Sequence, residues 1–249
     1  MFQGFYNLTS GMITQNRNLN VVSNNIANVL TPGYKKDTMV SSTFREELVS
    51  RTGNIDKDNP EGLGDASRFR SALETITDYE QGALEITDNP LDCAITSEGF
   101  FRIDTGNGEL YTRNGSFAIS DDGYLVLPEG GRVMGKNGPI LLGADDFTVD
   151  GNGLVYTSGG DYIDQLDIVT FDDMAQLRKT GGSLFASDAA PVAVADPSVE
   201  QKTLERSNVD ATGEFSKMIE SQRALQSAAQ VLKIYDQLMG KATTQLGNI

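Results

Sequence analysis

Residues 23–37 read SNNIANVLTPGYKKD, and they interrupt the most regular pattern in the chain. An amphipathic run of apolar residues ends there, at Pro32 followed by Gly33. Proline removes a backbone donor from the helix ladder, and glycine adopts the left-handed conformation in which helices often end. The stretch therefore predicts that a long N-terminal helix stops near residue 30 and that the chain turns away from it.

Asparagines precede this predicted helix end, and a tyrosine and two lysines follow it. Three asparagines on the helix side are candidates for hydrogen bonds to neighbouring protein or to nearby backbone. They are Asn24, Asn25 and Asn28. Beyond the turn, we expect Tyr34 to pack onto the helical region, and Lys35 and Lys36 to face the negative end of the helix dipole.

Upstream of the turn, eight positions recur at spacings of three and four residues, and seven of the eight are apolar. They are Phe5, Leu8, Met12, Gln15, Leu19, Val22, Ile26 and Val29. Such a heptad-like stripe predicts a helix over residues 1–30 that packs along one face. The candidate interface residues of this helix are the three asparagines together with Leu8, Met12, Leu19, Val22 and Ile26.

The C-terminal region, residues 212–249, repeats this spacing. Its candidate interface residues are Phe215, Leu225, Leu232 and Met239. Thr212 and the acidic Glu214 suit the start of a helix. Two long helices at opposite ends of the chain predict a pair, either an ordinary hairpin within one chain or a terminal coiled-coil domain, residues 1–30 plus 212–249, that assembles with other copies.

The interior of the chain, residues 71–205, consists of short apolar runs separated by glycine-rich turns. FFRID and ELYTR flank the turn TGNG at residues 105–108, and YIDQLDIVTF at 162–171 predicts a longer strand. This spacing predicts an all-β domain. Residues 31–70 contain few large apolar side chains and are predicted to form an extended connector. The predicted fold class is α+β, with long terminal helices that pair as a coiled coil and a central all-β domain.

The net charge of −15 is concentrated in the middle of the chain. Residues 71–202 carry 7 basic and 23 acidic side chains, whereas residues 203–249 carry five of each. An acidic middle repels nucleic acid, so we expect no nucleic-acid partner. Near-neutral ends can pack against copies of themselves with little repulsion. The apolar runs are too short for membrane insertion, and the N-terminus lacks the pattern of a cleaved signal peptide.

Residues that carry most catalytic and metal-binding chemistry are missing. The chain has no histidine and one cysteine, Cys93, which we expect to be a small buried apolar residue. DGNG at residues 150–153 and DDG at 121–123 resemble fragments of calcium loops, but they lack the further ligands, and turn formation explains them. The sequence therefore predicts no enzyme, no cofactor and no metal site.

Two classes of function remain. The heptad ends favour a structural subunit that assembles through its helices. The acidic, turn-rich centre leaves an alternative, a secreted β-rich module that binds carbohydrate or calcium.

Three blocks of sequence, in chain order, resemble the flagellar basal-body rod and hook family. The N-terminal block is NNIAN followed by TPGY, at residues 24–34. The central block includes NPLD, GFF, YTRNGSF and DGYLV, within residues 89–126. The C-terminal block is LERSNV followed by MI and QRA, within residues 204–224. The resemblance covers nearly the whole chain.

The resemblance implies a structural subunit of the bacterial flagellar basal-body rod, with its terminal helices forming the inner coiled-coil domain of a helical tube that transmits torque. It implies that the partners are copies of the chain and other rod or hook subunits. It further implies export by the flagellar type III apparatus without a cleaved signal peptide. A rod protein with a central β domain is either the proximal or the distal one; STFREELV at residues 42–49 departs from the segment usual in the distal protein, which favours the proximal type.

Overall fold

The computed structural model describes residues 2–43, 46–51, 61–67, 70–106, 108–128, 130–143 and 147–246. The chain divides into two compact units. The helical unit comprises Met1–Ile26, Asp37–Asp78 and Asp210–Ile249, and the β unit comprises Ala27–Lys36 and Tyr79–Val209. A long helix at each end and β structure between them confirm the α+β fold class.

Among its described residues, the helical unit contains two helices and four strands. These are α1 (Phe2–Ala27), β1 (Asp37–Thr43), β2 (Glu46–Arg51), β3 (Glu61–Ser67), β4 (Arg70–Thr77) and α2 (Ala211–Leu246). Asp210 caps α2, because its carboxylate accepts hydrogen bonds from the backbone N–H groups of Thr212 at 3.1 Å and Gly213 at 3.2 Å. Neither α1 nor α2, within the described residues, combines the length and the apolar character needed to cross a membrane.

Three of these strands, β1, β2 and β3, lie within the segment predicted as an extended connector, residues 31–70. β1 pairs antiparallel with β4, and β2 pairs antiparallel with β3, each with a register shift within the pair. Backbone hydrogen bonds between strands define these pairs, and the sequence of the segment does not show the alternation of apolar and polar residues by which strands are predicted. Residues 27–36, in contrast, belong to the β unit.

The β unit contains seventeen short strands among its described residues. They are β5 (Leu84–Ile86), β6 (Cys93–Ile95), β7 (Phe100–Asp104), β8 (Glu109–Thr112), β9 (Ala118–Ile119), β10 (Leu125–Leu127), β11 (Gly131–Gly135), β12 (Gly138–Pro139), β13 (Phe147–Val149), β14 (Leu154–Thr157), β15 (Tyr162–Gln165), β16 (Ile168–Thr170), β17 (Leu177–Gly181), β18 (Leu184–Ser187), β19 (Val192–Ala193), β20 (Val199–Gln201) and β21 (Thr203–Glu205).

Ten of these strands form one sheet, in the order β17-β18-β8-β7-β11-β10-β9, with β12 on β11, β16 on β7 and β19 on β16. A three-stranded sheet has the order β13-β14-β15, and β5 and β6 pair with β21 and β20. The predicted hairpin around residues 105–108 is confirmed as β7 and β8, in which Phe101 lies opposite Thr112.

The run predicted as one long strand, residues 162–171, is divided between two sheets. β15 pairs with β14, whereas β16 pairs with β7. Leu166, Asp167 and Ile168 are consecutive and all buried, so the alternation expected of one strand fails at this point. The chain passes from one sheet to the other there, and buried side chains on both sides of the crossing fill the core.

Two apolar clusters form the core of the β unit. The larger one includes Phe101, Leu125, Val133 and Val155, each almost completely buried. The smaller one is aromatic and includes Phe100 and Phe185, whose ring centroids are 5.6 Å apart.

Candidate functional site

The structure distributes the predicted interface residues over three levels of burial. Val22 and Asn25 are buried, whereas Asn24 and Phe215 are exposed. The half-buried ones are Leu8, Met12, Leu19, Ile26, Asn28, Leu225, Leu232 and Met239. All of these residues belong to the helical unit except Asn28, which belongs to the β unit.

Hydrogen bonds between side chains join α1 to α2. Asn18 Nδ2 donates to Ser221 Oγ at 3.0 Å, and Asn25 Nδ2 donates to Glu214 Oε2 at 3.1 Å. A step of seven residues along α1 thus corresponds to a step of seven residues backward along α2. The two helices therefore run antiparallel through this region.

Asn25 also connects the helices to the strands of the helical unit. Its amide nitrogen donates to the Asp37 carbonyl at 2.8 Å, and its amide oxygen accepts from the Asp37 backbone N–H at 3.0 Å. The side chain is 0% exposed. Its predicted hydrogen bonds therefore lie within the chain, to nearby backbone at the start of β1 and to the first turn of α2.

Large apolar side chains are exposed on both helices. In addition to Phe215, which is 50% exposed, they are Phe5, Tyr6, Ile13, Ile219, Val231, Ile234 and Leu238. None of these additional residues is among the predicted interface residues, because the predicted seam follows one face of each helix. The signal was available, since Val231, Ile234 and Leu238 follow one another at spacings of three and four residues, as on a second helix face.

The turn at residues 31–35 is bound to the β unit. The Gly33 backbone N–H donates to the Glu205 carbonyl at 2.7 Å, and Tyr34 is almost completely buried. Lys179 covers the Tyr34 ring, with its ammonium nitrogen 3.6 Å from the ring centroid, and donates to the Lys35 carbonyl at 2.6 Å. The Tyr34 ring therefore packs against Lys179 of the β unit, a contact that the sequence did not predict.

Lys35 takes part in a buried ion cluster with Glu205 and Arg113. Its ammonium nitrogen lies 2.6 Å from Glu205 Oε1 and also donates to the Glu80 carbonyl at 2.7 Å. Arg113 Nη1 lies 3.3 Å from Glu205 Oε2, and the Gly82 N–H donates to Glu205 Oε1 at 3.0 Å. Lys35 and Glu205 are each 1% exposed. Lys35 therefore neutralises a buried carboxylate and does not face the end of α1.

The Lys36 backbone is bound by Asn208 of the β unit. Its N–H donates to Asn208 Oδ1 at 2.7 Å, and the Asn208 amide nitrogen donates to the Glu80 carbonyl at 3.1 Å. The last turn of α1 contains no basic residue. Both lysines follow the turn into the β unit, because the turn itself is anchored there.

The electrostatics of the cluster reflect its burial. Burial lowers the pKa of Arg113, and the negative charge of Glu205 opposes this shift in part. Arg113 Nε is buried and has no hydrogen-bond partner. The Glu205 carboxylate is thus the shared ion-pair partner of two buried cations, Lys35 and Arg113. Loss of its charge would leave both cations buried without a counter-charge, which is strongly destabilising.

Gly33 fits the turn for two reasons, a positive φ of 65° and close backbone contact. A Cβ at this position would lie 2.3 Å from both the Arg113 carbonyl carbon and the Asn114 nitrogen. We expect Gly33→Ala to lower the free energy of unfolding of the β unit by about 3 kcal/mol, measured by urea denaturation with circular dichroism.

Gly160→Ala is the matched control for this substitution. Gly160 also has a positive φ, 88°, but a Cβ there would meet nothing within 4 Å. Gly160→Ala should lower the free energy of unfolding by about 1–2 kcal/mol, the cost of the backbone conformation alone. Equal losses in the two variants would show that the close approach of Gly33 to Arg113 and Asn114 has no energetic weight.

The cysteine Cys93 is buried. Burial, with a smaller contribution from Asp92, raises the pKa of the Cys93 thiol to about 12, so the thiol stays protonated at neutral pH. In the part of the chain that the structure describes, no group of three or more Cys, Asp or Glu side chains is placed to hold a metal ion.

Three family models match the chain. A model described as flagella basal body rod protein matches residues 5–35. A model of the flagellar hook protein FlgE/F/G D1 domain matches residues 94–157, and a model of the flagellar basal body rod FlgEFG protein C-terminal region matches residues 200–246. The first and third matches contain most of α1 and α2.

Relatives match over almost the full length. The flagellar basal-body rod protein FlgG of Bacillus subtilis is 34% identical, over 96% of this chain and 97% of that protein. The flagellar basal-body rod protein FlgF of Caulobacter vibrioides is 32% identical, over 96% of each chain. The flagellar hook-basal body complex protein FlhO of Bacillus subtilis is 30% identical, over 100% of each chain.

Proposed function

We propose that this chain, which belongs to the flagellar basal-body rod protein family, is held in the rod by its paired terminal helices, which pack against neighbouring subunits. The chain is a structural subunit of the bacterial flagellar basal body. Its matches to FlgG and FlgF proteins are of similar identity, so we assign it to the family and not to one member.

The exposed apolar side chains of α1 and α2 carry this proposal. Phe215, Ile219, Ile234 and Leu238 each have at least half of their surface exposed within one chain. Burying such a side chain contributes roughly 1.5–3 kcal/mol, and contiguous exposed apolar surface usually marks an interaction site. Residues 203–249 carry equal numbers of basic and acidic side chains, so copies of α2 can approach each other with little repulsion.

We further propose that the antiparallel helices form a coiled coil and that many copies build a helical tube. The half-buried seam residues, such as Leu19 and Leu225, pack within and between subunits, while the exposed side chains of α2 bind the adjoining copy. A contact surface that joins copies head to tail without closing a ring produces an open helical assembly. Packed side chains all along the helices would let such a tube transmit torque.

The proposed partners are copies of this chain and other rod or hook subunits. Export by the flagellar type III apparatus is proposed from membership of the family. The alternative function, a secreted module that binds carbohydrate or calcium, has no support, since the relatives are named as flagellar basal-body rod proteins. The role we propose is mechanical, with no catalytic step.

Deletion of the gene in the bacterium that encodes this chain tests the function. We expect the deletion strain to lose motility together with its hooks and filaments, because the structures beyond the missing rod segment have nothing to assemble on. Electron microscopy of purified basal bodies measures this, and mass spectrometry should find the chain in basal bodies from the complemented strain. A deletion strain that swims with normal filaments would contradict the proposal.

A further inference from the structure

The apolar seams of α1 and α2 do not specify one register. Met12, Leu19 and Ile26 follow one another at intervals of seven residues on α1. Met218, Leu225, Leu232 and Met239 do the same on α2. Sliding one helix along the other by seven residues therefore places apolar side chains against apolar side chains again. Something other than the seam has to select the observed register.

Polar pairs mark that register at two successive levels, and a cavity between the helices marks it at a third. Asn18 bonds to Ser221, and Asn25 bonds to Glu214, seven residues further along α1 and seven residues back along α2. Seven residues in the other direction, Gly11 and Ala228 line the same cavity between the helices. One alignment of the two antiparallel helices accounts for all three levels.

We infer that Asn18 with Ser221 and Asn25 with Glu214 select the register in which α1 and α2 pair. In either register that differs by seven residues, both of these pairs are broken and at most one polar pair re-forms. One slide places Asn25 opposite Ser221 and moves Glu214 away from the asparagine, and the other places Asn18 opposite Glu214 and moves Asn25 beyond the first turn of α2. Buried polar groups without partners disfavour both alternatives.

The burial of the second pair gives it the greater weight. Asn25 is 0% exposed, and Glu214 is almost completely buried. Glu214 Oε1 also accepts from Lys217 Nζ at 2.9 Å, and Asn25 is held by both backbone groups of Asp37. A single buried asparagine is known to fix alignment in coiled coils at some cost in stability. This inference concerns one chain and does not depend on the proposed function.

Cysteine pairs in the purified full-length chain report the register. In a Cys93→Ala background, Gln15→Cys with Ala224→Cys reports the observed register, because both residues line the cavity between the helices. Gln15→Cys with Val231→Cys reports one slide, and Leu8→Cys with Ala224→Cys reports the other. Seven helical residues span about 10.5 Å, more than a disulfide bridges. Oxidation followed by mass spectrometry measures each intramolecular disulfide.

Two variants remove the polar pairs separately. One carries Asn18→Leu and Ser221→Leu, and the other carries Asn25→Leu and Glu214→Leu. The first leaves the contacts of Asp37 intact, so it separates the register from the anchoring of β1. Asn20→Leu with Gln222→Leu is the matched control, because both of these residues are polar and exposed on the same helices.

The parent chain and the control should form the disulfide of the observed register at least about tenfold more than either displaced one. Both test variants should lower that ratio to about threefold or less, at parental helix content by circular dichroism. Unchanged ratios in both variants would overturn the inference. Loss of every disulfide together with the helix signal would also overturn it, because the four residues would then hold the helices together and not select their register.

Discussion

The Glu205→Gln variant is expected to lose about 3–5 kcal/mol of the free energy of unfolding of the β unit. Glutamine has nearly the shape of glutamate but no charge, so Lys35 and Arg113 would remain buried without their shared anion. If the amide oxygen takes the place of Oε1, which accepts from Lys35 and the Gly82 N–H, the amide nitrogen places a donor against Arg113, which donates to Oε2 in the structure. Urea denaturation followed by circular dichroism measures the loss.

Glu85→Gln is the matched control, since Glu85 lies on β5 opposite Leu204, next to Glu205 on β21. Its ion pair with Arg206, at 3.5 Å, joins two side chains that are each more than half exposed. Such surface pairs contribute about 0–1 kcal/mol to stability. The free energy of unfolding of Glu85→Gln should therefore lie within about 1 kcal/mol of that of the parent chain. A Glu205→Gln protein as stable as the control would show that the buried cluster does not anchor the turn.

Ile219→Asp combined with Ile234→Asp is expected to abolish motility while the monomer remains folded. Both side chains are more than half exposed on α2, so the two carboxylates meet water in a single chain. In the rod, our proposal buries these positions against a neighbouring subunit, where an unpaired charge costs several kcal/mol per site. Swimming in soft agar and the amount of the chain in purified basal bodies measure the effect, and we expect both to fall at least about tenfold.

Gln222→Asp combined with Gln230→Asp separates this effect from charge alone. These two residues are also exposed on α2, and the double substitution adds the same two negative charges. The control strain should swim and incorporate the chain at levels close to the parent. If the two strains swim equally well, Ile219 and Ile234 are not part of a subunit interface.

Local signals in the sequence predicted the parts of the fold that local interactions determine. The heptad spacing from Leu8 to Ile26 predicted α1, and the Pro32-Gly33 pair placed its end within a few residues of Ala27, where the helix stops. Glycine-rich turns predicted hairpins such as β7 and β8, because a short turn between two apolar runs leaves the strands few other ways to pair.

The parts that were not predicted depend on residues far apart in the chain. Lys35 and Glu205 are separated by 170 positions, and Arg113 and Glu205 by 92, so no spacing in the sequence indicates that their charges meet. Nor does the sequence show that β1 pairs with β4, because the pairing lies in backbone hydrogen bonds and register shifts. Local sequence patterns therefore predict the helices and hairpins. The tertiary contacts between distant segments, such as that of Lys35 with Glu205, become known only from the structure.

The hydrogen bond from the Lys35 ammonium to the Glu80 carbonyl closes a loop of chain, because these two residues are 45 positions apart. The chain leaves the β unit after Lys36 and returns to it at Tyr79, close to this bond. The entropy cost of closing a loop grows slowly, by about 0.6 kcal/mol for each doubling of its length. Insertions and deletions within residues 37–78 therefore cost the β unit little, and evolution can change the size of this segment without altering the scaffold that carries it.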